Sequence, residues 1–150
     1  MDAMAQNVPP VPEGLHTVTP HITVDGAANY IDLLKRAFGA VELSRSTIPT
    51  GKIIHATVRI GDSVLMLGEA TDRSSAIAGS FYIYVDDADA VYRAALSAGG
   101  ESLEKPADRF WGDRVGTIKD FAGNKWLIAT HVEDVSSDEI AKRAQQAMAA

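Results

Sequence analysis

Displaced by 61 residues, the chain meets itself. Ile22, Val24, Asp25 and Ala27 fall on Ile83, Val85, Asp86 and Ala88, while Ala37, Gly39 and Gly51 fall on Ala98, Gly100 and Gly112. These identities are few, but they sit where a strand ends, a helix begins, a helix ends and a turn forms. An internal repeat constrains architecture before any local pattern does, because each copy must itself be one supersecondary unit. The 150 residues then hold two half-size modules that fold together as one protein of ordinary size.

In the first copy, β-branched and apolar residues over 17–24 predict a strand. Asp25 offers an N-cap, Ala27, Tyr30, Ile31, Leu34 and Phe38 recur at helical spacing, and Gly39 stands where a C-terminal glycine belongs. Three strands follow, over 41–48, 53–60 and 63–67. Pro49-Thr50-Gly51 closes the first of them, and Gly61-Asp62 has the Gly-X form of a two-residue type II′ hairpin. The second copy repeats the order: strand 80–85, helix 87–98, then strands near 101–105, 114–119 and 125–131. The expected fold is α+β, two βαβββ modules over 16–67 and 80–132. A polar connection over 68–79 joins them, in which Glu69, Asp72 and Arg73 only keep the segment wet. Residues 1–15, with Val8-Pro9-Pro10-Val11-Pro12, read as an extended lead-in. Residues 133–150 read as a helical tail. There Ser136-Ser137-Asp138-Glu139 has the capping-box form, and Ile140, Ala144 and Met148 make a thin apolar stripe.

Composition works by exclusion. With no cysteine, disulfides, thiolate metal sites and cysteine nucleophiles are ruled out. A net charge of −6 argues against the basic footprint that nucleic acid requires. No apolar run reaches the roughly 18–20 residues of a membrane helix, so no membrane partner is expected. The first residues lack the basic start and apolar core of a secretory signal, and a cytoplasmic location is the expectation. No P-loop, dinucleotide fingerprint, HExxH or nucleophile elbow occurs, and Ser63 and Ser80 have no histidine beside them in sequence.

Strand alternation sorts the side chains. If Thr19 and Ser80 face one way, so do His21, Thr23, Tyr82 and Tyr84, while Ile22, Val24, Phe81, Ile83 and Val85 face the other. On the last strand of each module the matching set is Val64 and Met66, then Lys125, Leu127, Ala129 and His131. One face is apolar; the other is mixed polar and aromatic. Such a lining suits a small organic ligand better than a bare cation. His21 is either hydrogen-bonded structure or a ligand-orienting base, its ordinary pKa being about 6.5. His55 alternates with Thr57 and Arg59 and reaches the same surface or an edge. His131 reads as structural and His16 as solvated. His21, His55 and His131 would suffice for zinc if they converged, although their spacing carries no signal. Phe110-Trp111-Gly112-Asp113-Arg114 is the densest unusual cluster. It is either a turn in which Trp111 plugs the surface and Asp113 pairs with Arg114 or another charge, or a pocket wall. In the second case Trp111 lines the pocket and Arg114 holds an anion through its planar fork. Asp120 through Lys125 reads as a β-turn.

Two βαβββ units whose first strands close on Val24-Asp25 and Val85-Asp86 resemble the vicinal oxygen chelate superfamily. That superfamily includes glyoxalase I, extradiol dioxygenases, and the bleomycin and fosfomycin resistance proteins. The PhnB-like branch is similar at Val18-Thr19-Pro20-His21, Lys35-Arg36-Ala37-Phe38-Gly39-Ala40 and Ile60-Gly61-Asp62-Ser63-Val64-Leu65-Met66-Leu67. The similarity continues at Trp111-Gly112-Asp113-Arg114, Asp120-Phe121-Ala122-Gly123-Asn124-Lys125-Trp126 and Ala129-Thr130-His131-Val132-Glu133-Asp134. The resemblance implies curled mixed sheets around a cavity and a homodimer. In metal-using members the first and fourth strands of each module carry His, Gln or Glu ligands. The corresponding positions here are Thr19, Met66, Ser80 and Leu127, which offer a divalent metal little. The expected function is therefore binding of a small organic molecule without a metal cofactor. The ligand-binding candidates are Thr19, His21, His55, Met66, Ser80, Tyr82, Tyr84, Trp111, Arg114 and Leu127. The alternative is a metal-dependent lyase, isomerase or dioxygenase with displaced ligands such as His21 and His55, His21 being the catalytic candidate. The acidic tail helix and proline-rich lead-in also permit a groove for a protein segment.

Overall fold

Alternating strands that bury one face need a partner layer, and each copy of the repeat supplies a helix between its first and second strands. A computed structural model describes residues 7–149 of the chain, so residues 1–6 of the lead-in and residue 150 of the tail lie outside the described residues. The first module runs β1 (His21–Val24), α1 (Ala27–Phe38), β2 (Val41–Thr47), β3 (Ile53–Ile60) and β4 (Ser63–Glu69). The second runs β5 (Ser80–Tyr84), α2 (Ala88–Ser97), β6 (Glu101–Asp108), β7 (Asp113–Lys119) and β8 (Lys125–His131), followed by α3 (Ser137–Ala149). Each module makes an open four-stranded sheet, ordered β1-β4-β3-β2 and β5-β8-β7-β6. The first strand runs parallel to the fourth, and the remaining pairs are antiparallel. The α+β architecture of two βαβββ modules with a C-terminal helix is the one expected.

The repeat is visible in the pairing itself. His21 lies opposite Met66 and Tyr82 opposite Leu127, both pairs related by the same 61-residue displacement. On the next strand the displacement is one residue smaller, because Thr57 and Thr117 are the residues opposite Met66 and Leu127. The cause is the turn. Gly61-Asp62 joins β3 to β4, with Gly61 at φ +58 and no non-glycine residue at positive φ among those described, as a type II′ hairpin requires. Phe121-Ala122-Gly123 is one residue longer, closed by the Asp120 amide on the Asn124 carbonyl at 2.9 Å. Asp120 anchors that turn: its carboxylate accepts from the amides of Ala122 and Asn124 and from the Trp126 indole.

Several local expectations are corrected. The first strand begins at His21 rather than residue 17, since Pro20 has no amide to donate and only its carbonyl joins the ladder, accepting from the Met66 amide at 2.9 Å. α1 is capped by Glu69, whose two oxygens accept from the amides of Gly26 (2.8 Å) and Ala27 (3.0 Å), in the role expected of Asp25. Glu69 therefore ends β4 and is not a wetting residue of the connection. At the end of α2 the left-handed glycine is Gly99 (φ +108) and not Gly100, the repeat partner of Gly39. β6 extends to Asp108, beyond the expected end at residue 105, with register shifts around Pro106. In α3 the Ser136 hydroxyl accepts from the Glu139 amide as foreseen, but the apolar stripe stops short of Met148, which is exposed.

The described chain divides into two compact units: residues through Ile31 with Ala40–Ala76, and Asp32–Gly39 with everything from Ile77 onward. In the first unit Ile22, Val24, Ala56, Val58, Leu65 and Leu67 are buried on one side of the sheet. His21, Thr23, His55, Thr57 and Met66 stand on the other side, exposed or half-buried. In the second unit Ile118, Trp126 and Ile128 are buried with Tyr92 and Ala95 of α2 on one side of the sheet, and Val115, Thr117 and Ala129 are buried on the other. Phe38 and Phe81 stack against Trp126 with ring centroids 4.5 and 4.6 Å away.

Candidate functional site

On the side of the second sheet turned away from α2, one carboxylate gathers three donors. Asp113 begins β7 opposite His131 at the end of β8, and alternation sets Asp113, Val115 and Thr117 on the face that carries Tyr82 and Tyr84. Asp113 is 2% exposed. The hydroxyls of Tyr82 and Tyr84 both donate to its Oδ2, at 2.6 and 2.9 Å. The other oxygen, Oδ1, lies 2.8 Å from Nδ1 of His131, whose Nε2 lies 2.6 Å from Oδ1 of Asp134. With a carboxylate on each ring nitrogen, the doubly protonated imidazolium satisfies both contacts. Asp134 and then Asp113 hold the His131 pKa above the usual imidazole value. Burial works to raise the Asp113 pKa, but the hydrogen bonds from Tyr82, His131 and Tyr84 prevail, and it lies below the usual carboxylate value. Both phenols are pushed up, Tyr82 chiefly by burial and then by Asp113, Tyr84 chiefly by its bond to Asp113.

Trp111 completes the cluster. Its indole N–H donates to the Tyr82 oxygen at 3.0 Å, and its ring meets Phe110 edge-on with centroids 5.0 Å apart. The loop that carries it is stitched to the end of β8: the Gly112 carbonyl accepts from the amides of Val132 (2.9 Å) and Glu133 (3.1 Å). Gly112 sits at φ +103 with no room for a side chain, because a Cβ there would collide with the Glu133 carbonyl. Arg143 of α3 adds a second tie, donating to the Phe110 carbonyl at 3.1 Å and to both oxygens of Glu133. Tyr82 and Tyr84 remain accessible at 41% and 63%, their rings 5.2 Å apart and inclined at 52°.

The other expected site residues fall elsewhere. Arg114 is turned to the opposite face, where its Nε and one terminal nitrogen bond both oxygens of Asp89 on α2 at 2.8 and 3.1 Å, and the second terminal nitrogen bonds Asp108 at 3.2 Å. Its fork is thus occupied by Asp89 and Asp108. Leu127, opposite Tyr82, is half-buried on the aromatic face, and Ser80 at its edge lies opposite Lys125. On the first sheet His21 and His55 share the open face with Met66, their ring centroids 6.0 Å apart. Thr19 precedes β1 and donates its hydroxyl to the His16 carbonyl at 3.1 Å. Sequence reading passed over Asp113 and Asp134 as site members. The three-residue step from His131 to Asp134 and the alternation of Asp113 with Arg114 were the signals available.

A model of the Glyoxalase/Bleomycin resistance protein/Dioxygenase superfamily matches residues 14–128. The chain belongs to that superfamily. An uncharacterized protein of Mycobacterium tuberculosis strain H37Rv is 36% identical over 150 residues, covering 93% of this chain and 85% of the relative. Two solved structures share the superfamily fold at lower identity. TioX from Micromonospora sp. ML1 is 21% identical with a TM-score of 0.63, covering 77% of this chain and 99% of its own. A PhnB protein from Bacillus cereus is 18% identical with a TM-score of 0.64, covering 77% and 99%.

The metal that some superfamily members use does not fit the residues at the corresponding positions. Thr19, Met66, Ser80 and Leu127 provide two hydroxyls, a thioether and a hydrocarbon, and the Thr19 hydroxyl is directed at a backbone carbonyl. Among the described residues, no group of three or more His, Asp or Glu side chains is arranged to hold a metal ion. No helix of the described chain is long and apolar enough to cross a membrane.

Proposed function

We propose that this superfamily member binds a small organic molecule on the aromatic face of its second sheet, without a metal cofactor. One observation carries the reading: two accessible phenols are fixed in place by a buried carboxylate, and an indole is hydrogen-bonded to one of them, on the face turned away from α2. A rigid, largely apolar surface with a few oriented polar atoms is what small-ligand sites are made of. Tyr82, Tyr84, Trp111 and Leu127 are the contacts in this reading, with Ser80 at the edge. Arg114 is not one of them, because its guanidinium is matched by Asp89 and Asp108. Thr19, His21, His55 and Met66 belong to the open face of the first sheet as a second group of contacts. The PhnB-like branch, a homodimer and a cytoplasmic location are parts of the same reading, the first supported by the matching loop Trp111-Gly112-Asp113-Arg114.

The test is a compound panel followed by tryptophan fluorescence and melting temperature, beside elemental analysis of protein purified without chelators. Binding by metal-free protein supports the reading. Silence across the panel from folded protein, or a near-stoichiometric transition metal, sinks it. The pairing of His21 with His55 favours one second reading, a displaced metal-dependent active site. Two imidazoles make half of a zinc shell. That reading requires metal-dependent activity that His21→Ala abolishes, and survival of such activity in the variant ends it.

A further inference from the structure

The ligand class follows from what the aromatic face offers, granted the small-molecule reading above. We infer that Tyr82, Tyr84 and Trp111 seat an organic cation, an alkylated ammonium or guanidinium group carried on a small hydrocarbon frame. Both phenolic protons already point at Asp113, so neither is available to a guest. The Tyr82 oxygen also receives the Trp111 N–H. What these groups present outward is therefore electron-rich: ring faces and oxygen lone pairs, with no donor. A neutral or anionic ligand that needs hydrogen bonds donated to it finds none from these three side chains.

The geometry agrees. The two rings, 5.2 Å apart and inclined at 52°, both remain accessible to solvent. A cation within about 6 Å of such ring faces is held by their quadrupoles, Trp and Tyr being the stronger partners. Charge beneath the rings has the same sign. Asp113 and Asp134 are carboxylates, and His131 between them contributes at most one positive charge, so the trio stays net negative even with its imidazole protonated. Lys125 and Lys119 are the strand cations that alternation sets on this face; they lie opposite each other at the far end of β8 from His131, one alternation away from the Tyr82–Leu127 pair, and Lys119 is 3.6 Å from Glu101. Arg114 lies on the other face and is neutralised there by Asp89 and Asp108.

The test is titration of the full chain with benzyltrimethylammonium, benzyl alcohol and benzoate, three probes sharing one ring and differing in charge. Heat and Trp111 fluorescence are the readouts. The ammonium should bind about tenfold or more tightly than either companion, the size of a desolvated cation–π contact. Tyr84→Leu should erase that preference, while Tyr84→Phe, which gives up the same bond to Asp113 but keeps the ring, should retain most of it. Equal or tighter binding of benzyl alcohol or benzoate would overturn the cation assignment and leave the small-molecule reading standing. Failure of all three probes while other panel compounds bind would overturn the assignment alone; failure of every compound would overturn both. A Tyr84→Leu variant that loses self-association yet keeps its ammonium affinity would show that a second copy of the chain covers this face, and would also refute the assignment.

Discussion

Asp113 is a two-oxygen acceptor with three donors aimed at it and almost no exposure to water. Such a residue is costly to alter, because each donor left behind loses its only protein acceptor or must find water. Asp113→Asn should lower folding stability by about 1–3 kcal/mol, measured by denaturant titration. The same change should bring the His131 pKa down toward the ordinary imidazole value, read by NMR, because one of its two carboxylate partners loses its charge. The pH dependence has a definite sign. His131 is raised, so its contribution is complete below the ordinary imidazole pKa and fades as pH rises through the folded value. Asp113 is lowered, so its contribution is present above the ordinary carboxylate pKa and is lost as pH falls through its folded value. The denaturation midpoint of the wild type should therefore fall at both ends of the range, and Asp113→Asn should flatten both limbs. A His131 that titrates at the ordinary value in the wild type would contradict this arrangement.

Elements were easier to read than their ends. Helical spacing through Ala27, Tyr30, Ile31 and Leu34 marks α1 because one buried face suffices to define it, and those residues are buried. Its cap was not legible. Asp25 is the local choice, but Glu69, 42 and 43 positions away from the amides it holds, reaches them because β4 runs parallel to β1 and ends beside the helix start. Glu69→Ala should accordingly cost about 1 kcal/mol of stability with no change in the aromatic cluster, checked by denaturation beside near-ultraviolet dichroism. If Asp25→Ala cost as much and Glu69→Ala nothing, the capping assignment would be wrong. The same limit applies to the site. Alternation within a strand places Tyr82 and Tyr84 on one face correctly, whereas the meeting of Asp113 with His131 depends on the register between β7 and β8. That register is set by the three-residue turn Phe121-Ala122-Gly123 and its Asp120 anchor, which a reading of either strand alone does not contain. Pairing across strands is long-range information.

For the molecule as a whole, the homodimer in the proposed reading predicts sedimentation at twice the 16.0 kDa chain mass at micromolar concentration. A monomer across that range would remove the dimer from the proposal while leaving the aromatic face unaffected. The duplicated backbone has a further consequence. Ile22 and Ile83, Val24 and Val85, and Leu67 and Ile128 keep the apolar sides of the two sheets alike in residue type, at positions related by one displacement, although Ile83 and Val85 are only half-buried. On the open sides the corresponding residues have parted company: His21 against Tyr82, Thr23 against Tyr84, Met66 against Leu127. The protein thus carries its own control experiment, one scaffold bearing two surfaces of different chemistry. The tyrosines are not portable, however: placed on the first sheet they would lack the buried Asp113 that orients them, and replacing them on the second would leave that carboxylate short of two donors.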